Sequence, residues 1–131
     1  MRIVYLSITG NIRKFVKEIG IEDVIELSYS NPFIEVNEDF VLIIPSYDDA
    51  VTEFFCNFIE YKNNSKHLVG IVGSGNRNFG EDGYCFSAVD ISKKYDKPLL
   101  MKFEFSGTEE DRNKFKKEVN SIAIARTNQK D

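Results

Sequence analysis

Leu68-Val69-Gly70-Ile71-Val72-Gly73-Ser74-Gly75-Asn76-Arg77-Asn78-Phe79-Gly80 runs from an apolar stretch directly into a glycine-rich loop. Three glycines between Gly73 and Gly80 let the backbone turn sharply and approach a ligand closely. Taken alone, such a cluster reads as a surface turn, because Gly and Asn punctuate every α/β chain. Two further short loops change that reading. Ser7-Ile8-Thr9-Gly10-Asn11 and Pro45-Ser46-Tyr47-Asp48-Asp49 also follow strand-like runs, so three strand ends finish in polar, ligand-type chemistry and are expected to converge on one crevice.

The chain around these loops reads as strand, loop and helix in repetition. Ile3 to Leu6 is a short apolar run without polar alternation, as in a strand covered on both faces. Ile12, Phe15, Val16 and Ile19 then form one helix face, stopped by Gly20. Val24 to Leu27 is a second strand. Tyr29 to Asp39, with Pro32, shows no helical period, so the crossover to the next strand is expected to be irregular. Phe40 to Ile44 is the third strand, and Val51, Phe54, Phe55, Phe58 and Ile59 make a wide helical stripe capped by Asp48 or Asp49. After the fourth strand, Leu68 to Val72, a helix ending near Tyr95 is expected to turn Cys85, Ala88, Val89 and Ser92 inward. Pro98 to Phe105 is the fifth strand. Thr108 and Asp111 resemble a capping box for a last helix facing inward through Phe115, Val119 and Ile122.

Five strands alternating with helices predict an α/β, flavodoxin-like doubly wound parallel sheet in the order 2-1-3-4-5. The expected domain covers residues 1–125, with residues 126–131 a frayed tail. A chain of 131 residues is one domain with a real core. Its net charge of -4 and pI near 5.1 argue against a nucleic-acid surface. Two cysteines, Cys56 and Cys85, imply no disulfide framework and fit a reducing cytoplasm. No apolar run approaches the roughly 18 residues of a membrane span, and Met1 to Leu6 enters a strand rather than a signal peptide. His67 is the only histidine; it reads as structural, and no metal site is expected.

The first loop offers two hydroxyls and backbone N–H groups at a helix N-terminus, the chemistry that binds a phosphate. An ordinary Ser/Thr helix cap is the competing reading. Neither Gly-x-x-x-x-Gly-Lys-Ser/Thr nor Gly-x-Gly-x-x-Gly is present, which favours a monophosphate. The other two loops place Tyr47 and Phe79 where a planar ring could stack, with Gly75 and Gly80 allowing backbone contact to its polar edge. Flavin mononucleotide (FMN) fits that inventory.

Ser7-x-Thr9-Gly10-Asn11 resembles the flavodoxin phosphate loop. Ser74-Gly75-Asn76-Arg77-Asn78-Phe79-Gly80, with Phe103-Glu104-Phe105-Ser106-Gly107-Thr108, resembles the NrdI family, the flavodoxin-like activators of class Ib ribonucleotide reductase. The resemblance spans Val4 to about Ile122 and is similarly compact between the second and third strands. It implies bound FMN and, as partner, the small radical-bearing subunit of the reductase, with its dimanganese site beside a tyrosine. Reduced flavin in that family reacts with oxygen and passes superoxide or peroxide to the metal site, serving deoxyribonucleotide synthesis. An electron donor, unidentified by the sequence, is also implied. No side chain need be an acid or base, since redox chemistry belongs to the cofactor.

By the same resemblance, Ser7, Thr9, Gly10, Asn11 and Ile12 hold the phosphate. Ser46, Tyr47 and Asp48 flank one side of the flavin, and Ser74, Gly75, Asn76, Phe79 and Gly80 the other. Relatives commonly carry glycines after the third strand, where this chain has Tyr47-Asp48-Asp49-Ala50. The rim is accordingly expected to be acidic, with Asp48, Asp49, Glu81 and Asp82 against Arg77. An ordinary flavodoxin electron carrier is the alternative within redox proteins. A phosphorylatable receiver module shares the fold but needs carboxylates after the first strand, where Ser7, Thr9 and Asn11 stand instead.

Overall fold

The computed structural model describes residues 1–77 and 84–130. Strands β1 (Arg2–Tyr5), β2 (Val24–Glu26), β3 (Phe40–Pro45), β4 (Leu68–Gly75) and β5 (Leu99–Glu104) form one parallel sheet in the order β2-β1-β3-β4-β5. Helices α1 (Asn11–Ile19), α2 (Asp49–Glu60), α3 (Asn64–His67), α4 (Phe86–Tyr95) and α5 (Glu109–Lys130) connect and cover it. The doubly wound architecture expected from the sequence is the one observed.

Strand β3 shows why. All six of its residues are buried, and alternate side chains go to opposite layers. Phe40, Leu42 and Ile44 join α2 and α4 through Phe55, Phe58, Ile59, Ala88 and Ile91. Val41 and Ile43 join α1 and α5 through Phe15, Val16, Phe115 and Val119. Phe15 stacks on Phe103 at 4.1 Å and meets Phe115 edge-on at 5.3 Å, locking α1 and α5 to β5.

The irregular crossover from β2 to β3 is held by Asn64, the first residue of α3 and fully buried. Its Oδ1 accepts the Val36 N–H at 2.8 Å, while Nδ2 donates to the Ile34 and Phe58 carbonyls, each at 2.8 Å. One amide therefore satisfies backbone groups that a crossover helix would otherwise have paired. Leu27 and Val36 plug the segment into the core, and Tyr29 stacks on Phe54 at 5.4 Å.

One local expectation is corrected. Cys85 precedes α4 in a left-handed conformation (φ 57°), and the buried face of α4 is Ser87, Ala88 and Ile91 rather than Val89 and Ser92. The late helix start sets that phase, and Thr52 donates to the buried Ser87 hydroxyl at 3.1 Å. The last helix also continues past Ala125 to Lys130, with Arg126 Nε donating to Asp39 Oδ2 at 3.1 Å. His67 lies 3.2 Å from the other Asp39 oxygen, in keeping with a structural role. Thr108 and Asp111 form the expected capping box, with reciprocal bonds of 2.9 and 3.1 Å.

Candidate functional site

The carboxyl ends of β1, β3 and β4 open into a crevice of about 410 Å³, lined by Ser7, Ile8, Thr9, Asn11, Ile12, Pro45, Ser46, Tyr47, Asp48, Ser74, Gly75, Asn76 and Phe105. That volume is in the range of small-molecule cofactor sites. All three loops singled out in the sequence contribute to it.

At the first loop the Ser7 hydroxyl accepts the Gly10 N–H at 3.1 Å and the Arg13 N–H at 3.3 Å. Gly10 adopts φ 90°, a conformation costly for any residue with a Cβ. Helix α1 carries no acidic residue in its first turn and no side-chain hydrogen bond from its cap position. Ser7 takes the Arg13 N–H of that turn, and the positive helix end beside Thr9 and Asn11 would still favour an anion.

Ser46 leaves β3 with its N–H donating to the Ser74 carbonyl at 2.8 Å, which ties the second and third loops together. Its hydroxyl is buried without a hydrogen-bond partner in the crevice wall, a polar atom that a ligand group could satisfy. Asp48 caps α2, its Oδ1 accepting the Val51 N–H at 3.1 Å, so the helix cap inferred from the sequence is formed. Tyr47 is 59% exposed in this wall. Phe105, from the loop after β5, is 53% exposed and has φ 51°.

Ile8, Pro45 and Phe105 also line the crevice although the sequence did not single them out as ligand contacts, and of these Phe105 is the aromatic. Its signal was an aromatic placed just after the last strand and before Ser106-Gly107, where no core position calls for one. Ser74 Oγ donates to the Phe105 carbonyl at 3.4 Å, joining it to the third loop. Phe79 and Gly80, with Glu81 and Asp82 of the expected acidic rim, lie outside the described residues. Gly75 lines the crevice with its backbone, but its missing side chain faces the protein. A Cβ there would stand 3.1 Å from both the N and Sγ of Cys85. A side chain at this position would press on Cys85, just ahead of α4, whether or not a ligand binds. Burial pushes the Cys85 thiol up to about 11, so it is an inert packing group and not a nucleophile.

Hydroxyls, a helix N-terminus, exposed aromatics and backbone edges suit a phosphate joined to a planar ring, and the residues present fit a flavin. The sheet order and the placing of the crevice define a flavodoxin-like protein. The fold is similar to that of a short-chain flavodoxin associated with a non-canonical PDU bacterial microcompartment. The TM-score is 0.66 at 18% identity, covering 95% of this chain and 96% of that one. Residues 3–117 match the family described as NrdI flavodoxin-like, and the chain belongs to that family. Membership implies a flavin cofactor. Among the described residues, no helix is long and apolar enough to cross a membrane.

Proposed function

We propose that this chain binds FMN in the crevice and supplies an oxygen-derived oxidant, superoxide or peroxide, to the small subunit of a class Ib ribonucleotide reductase during assembly of its dimanganese-tyrosyl radical cofactor. The observation that carries the flavin reading is the crevice at the ends of β1, β3 and β4, with the N-terminus of α1 at one side and exposed Tyr47 and Phe105 in its walls. Family membership supports the link to the reductase.

The flavin would supply the electron transfer to oxygen. The chain's own residues bind and orient. Ser7, Thr9, Gly10, Asn11 and Ile12 would hold the phosphate through the hydroxyls and the N–H groups of the first turn of α1. Tyr47 and Phe105 would supply aromatic contact, and the buried Ser46 hydroxyl and the backbone of Gly75 and Asn76 would meet polar ring edges. Phe79 and Gly80 belong to the same assignment on sequence grounds. Asp48 in the crevice wall and its neighbour Asp49 at the start of α2 would disfavour an anionic reduced flavin, making it a readier electron donor.

Heat release and chromatography of the bound cofactor test the binding claim. FMN is expected; a predominance of the dinucleotide would contradict the single phosphate loop. An ordinary electron-carrier role would leave the reductase subunit without a radical when the two proteins are combined.

A further inference from the structure

We propose that Glu104 is a positioning residue that holds the Gly75–Asn76 wall of the crevice in place by capturing the main chain of Arg77; the inference rests on the flavin-binding reading above.

Glu104 ends β5, paired in register with Gly75 at the end of β4. Its Oε2 accepts the Arg77 backbone N–H at 3.2 Å, and its Oε1 lies 3.6 Å from the guanidinium Nε of the same residue. The guanidinium stands 5.0 Å from the Tyr84 ring centroid. Tyr84 is buried and precedes Cys85, which packs on Gly75. The next residue of the β5 loop, Phe105, donates its N–H to the Gly75 carbonyl at 3.4 Å. These contacts form a closed circuit from Gly75 through Glu104, Arg77, Tyr84 and Cys85 back to Gly75. The short stretch between Gly75 and Arg77 forms one wall of the crevice.

Within the circuit the two bonds to Glu104 differ in weight. The Arg77 side chain is 63% exposed, so its ion pair is screened by water. The backbone N–H bond to a carboxylate is charge-assisted and fixes the main chain directly. Removing the carboxylate should therefore matter more than removing the guanidinium, the opposite of what an arginine contacting the ligand would give.

The test measures amide exchange at residue 77 and FMN affinity in the full chain and in Glu104→Ala, Glu104→Gln and Arg77→Ala. Glu104→Ala should speed exchange at residue 77 and weaken FMN binding by about tenfold. Glu104→Gln keeps an acceptor and should recover most of both. Arg77→Ala keeps the N–H and should change both least. Equal losses in Glu104→Ala and Arg77→Ala, or faster exchange with unchanged affinity, would overturn the positioning role. A parent protein with no affinity for FMN would instead defeat the flavin reading, and the exchange series would still report whether Glu104 holds the wall.

Discussion

The Ser7 hydroxyl accepts the Gly10 N–H at 3.1 Å, so the first loop is already folded around the N-terminus of α1 before any anion is considered. Thr9, exposed at the mouth, is not spent on that internal bond. Thr9→Val should keep the fold and remove one hydrogen bond to a charged phosphate, a loss of about 1.5 to 3 kcal/mol, or at least roughly tenfold in Kd. Fluorescence titration with FMN measures it. Unchanged affinity would reject the assigned loop.

Asp48 and Asp49 separate into two effects. As the α2 cap, Asp48→Ala should cost about 1 kcal/mol of stability, whereas Asn retains the acceptor. The double change Asp48→Asn with Asp49→Asn should leave stability near that of the parent and raise the reduction potential of the bound flavin, because two rim charges opposing a reduced anion are gone. Solvent screening limits the size of that rise. Potentiometry decides: no shift would assign both aspartates to the helix end alone.

Asn64 should be the polar residue whose loss is felt most in stability. Its three bonds satisfy the buried Val36 N–H and the Ile34 and Phe58 carbonyls. Asn64→Leu would leave them unpaired, and a destabilisation of about 3 kcal/mol is expected. Urea unfolding reads it, and a midpoint within error of the parent would mean that the crossover finds other partners.

Acid stability should carry the mark of Glu26. Its carboxylate accepts the Tyr5 hydroxyl at 2.8 Å and two Arg13 donors at 2.8 Å each. The bond from Arg13 holds it below its ordinary value of 4.5, and burial pushes the Tyr5 phenol up to about 12. A lowered carboxylate stabilises the fold above its unfolded-state pKa and loses that contribution as the pH falls through its folded value. The stability gap between the parent and Glu26→Gln should thus be level from neutral pH down to about 4.5 and close below it. Unfolding curves that keep a constant gap into stronger acid would remove this role.

How much could be read beforehand depended on how local the cause was. The continuous apolar run of β3, the stripes of α1 and α2 and the Thr108–Asp111 capping box are each determined by neighbours in sequence, and all were legible. The β2-to-β3 crossover was legible only as irregular, because the residue that satisfies its backbone, Asn64, comes from a later helix. The phase of α4 was misread because the left-handed Cys85 delays its start, a tertiary effect of packing against Gly73 and Gly75. Gly75 stands out in the sequence as a place for close backbone approach, but its packing against Cys85 is visible only in the fold. Phe105 became a crevice residue only when β5 was placed beside β4, bringing the loop after it to the third loop.

The most direct test of the central claim combines FMN-loaded, reduced protein with manganese(II)-loaded small subunit of a class Ib ribonucleotide reductase, admits oxygen, and follows the tyrosyl radical by electron paramagnetic resonance. A radical signal is expected that requires the FMN-loaded protein and is lost when the chain is supplied without flavin. A subunit that stays radical-free, or that gains the same signal without this protein, would contradict it.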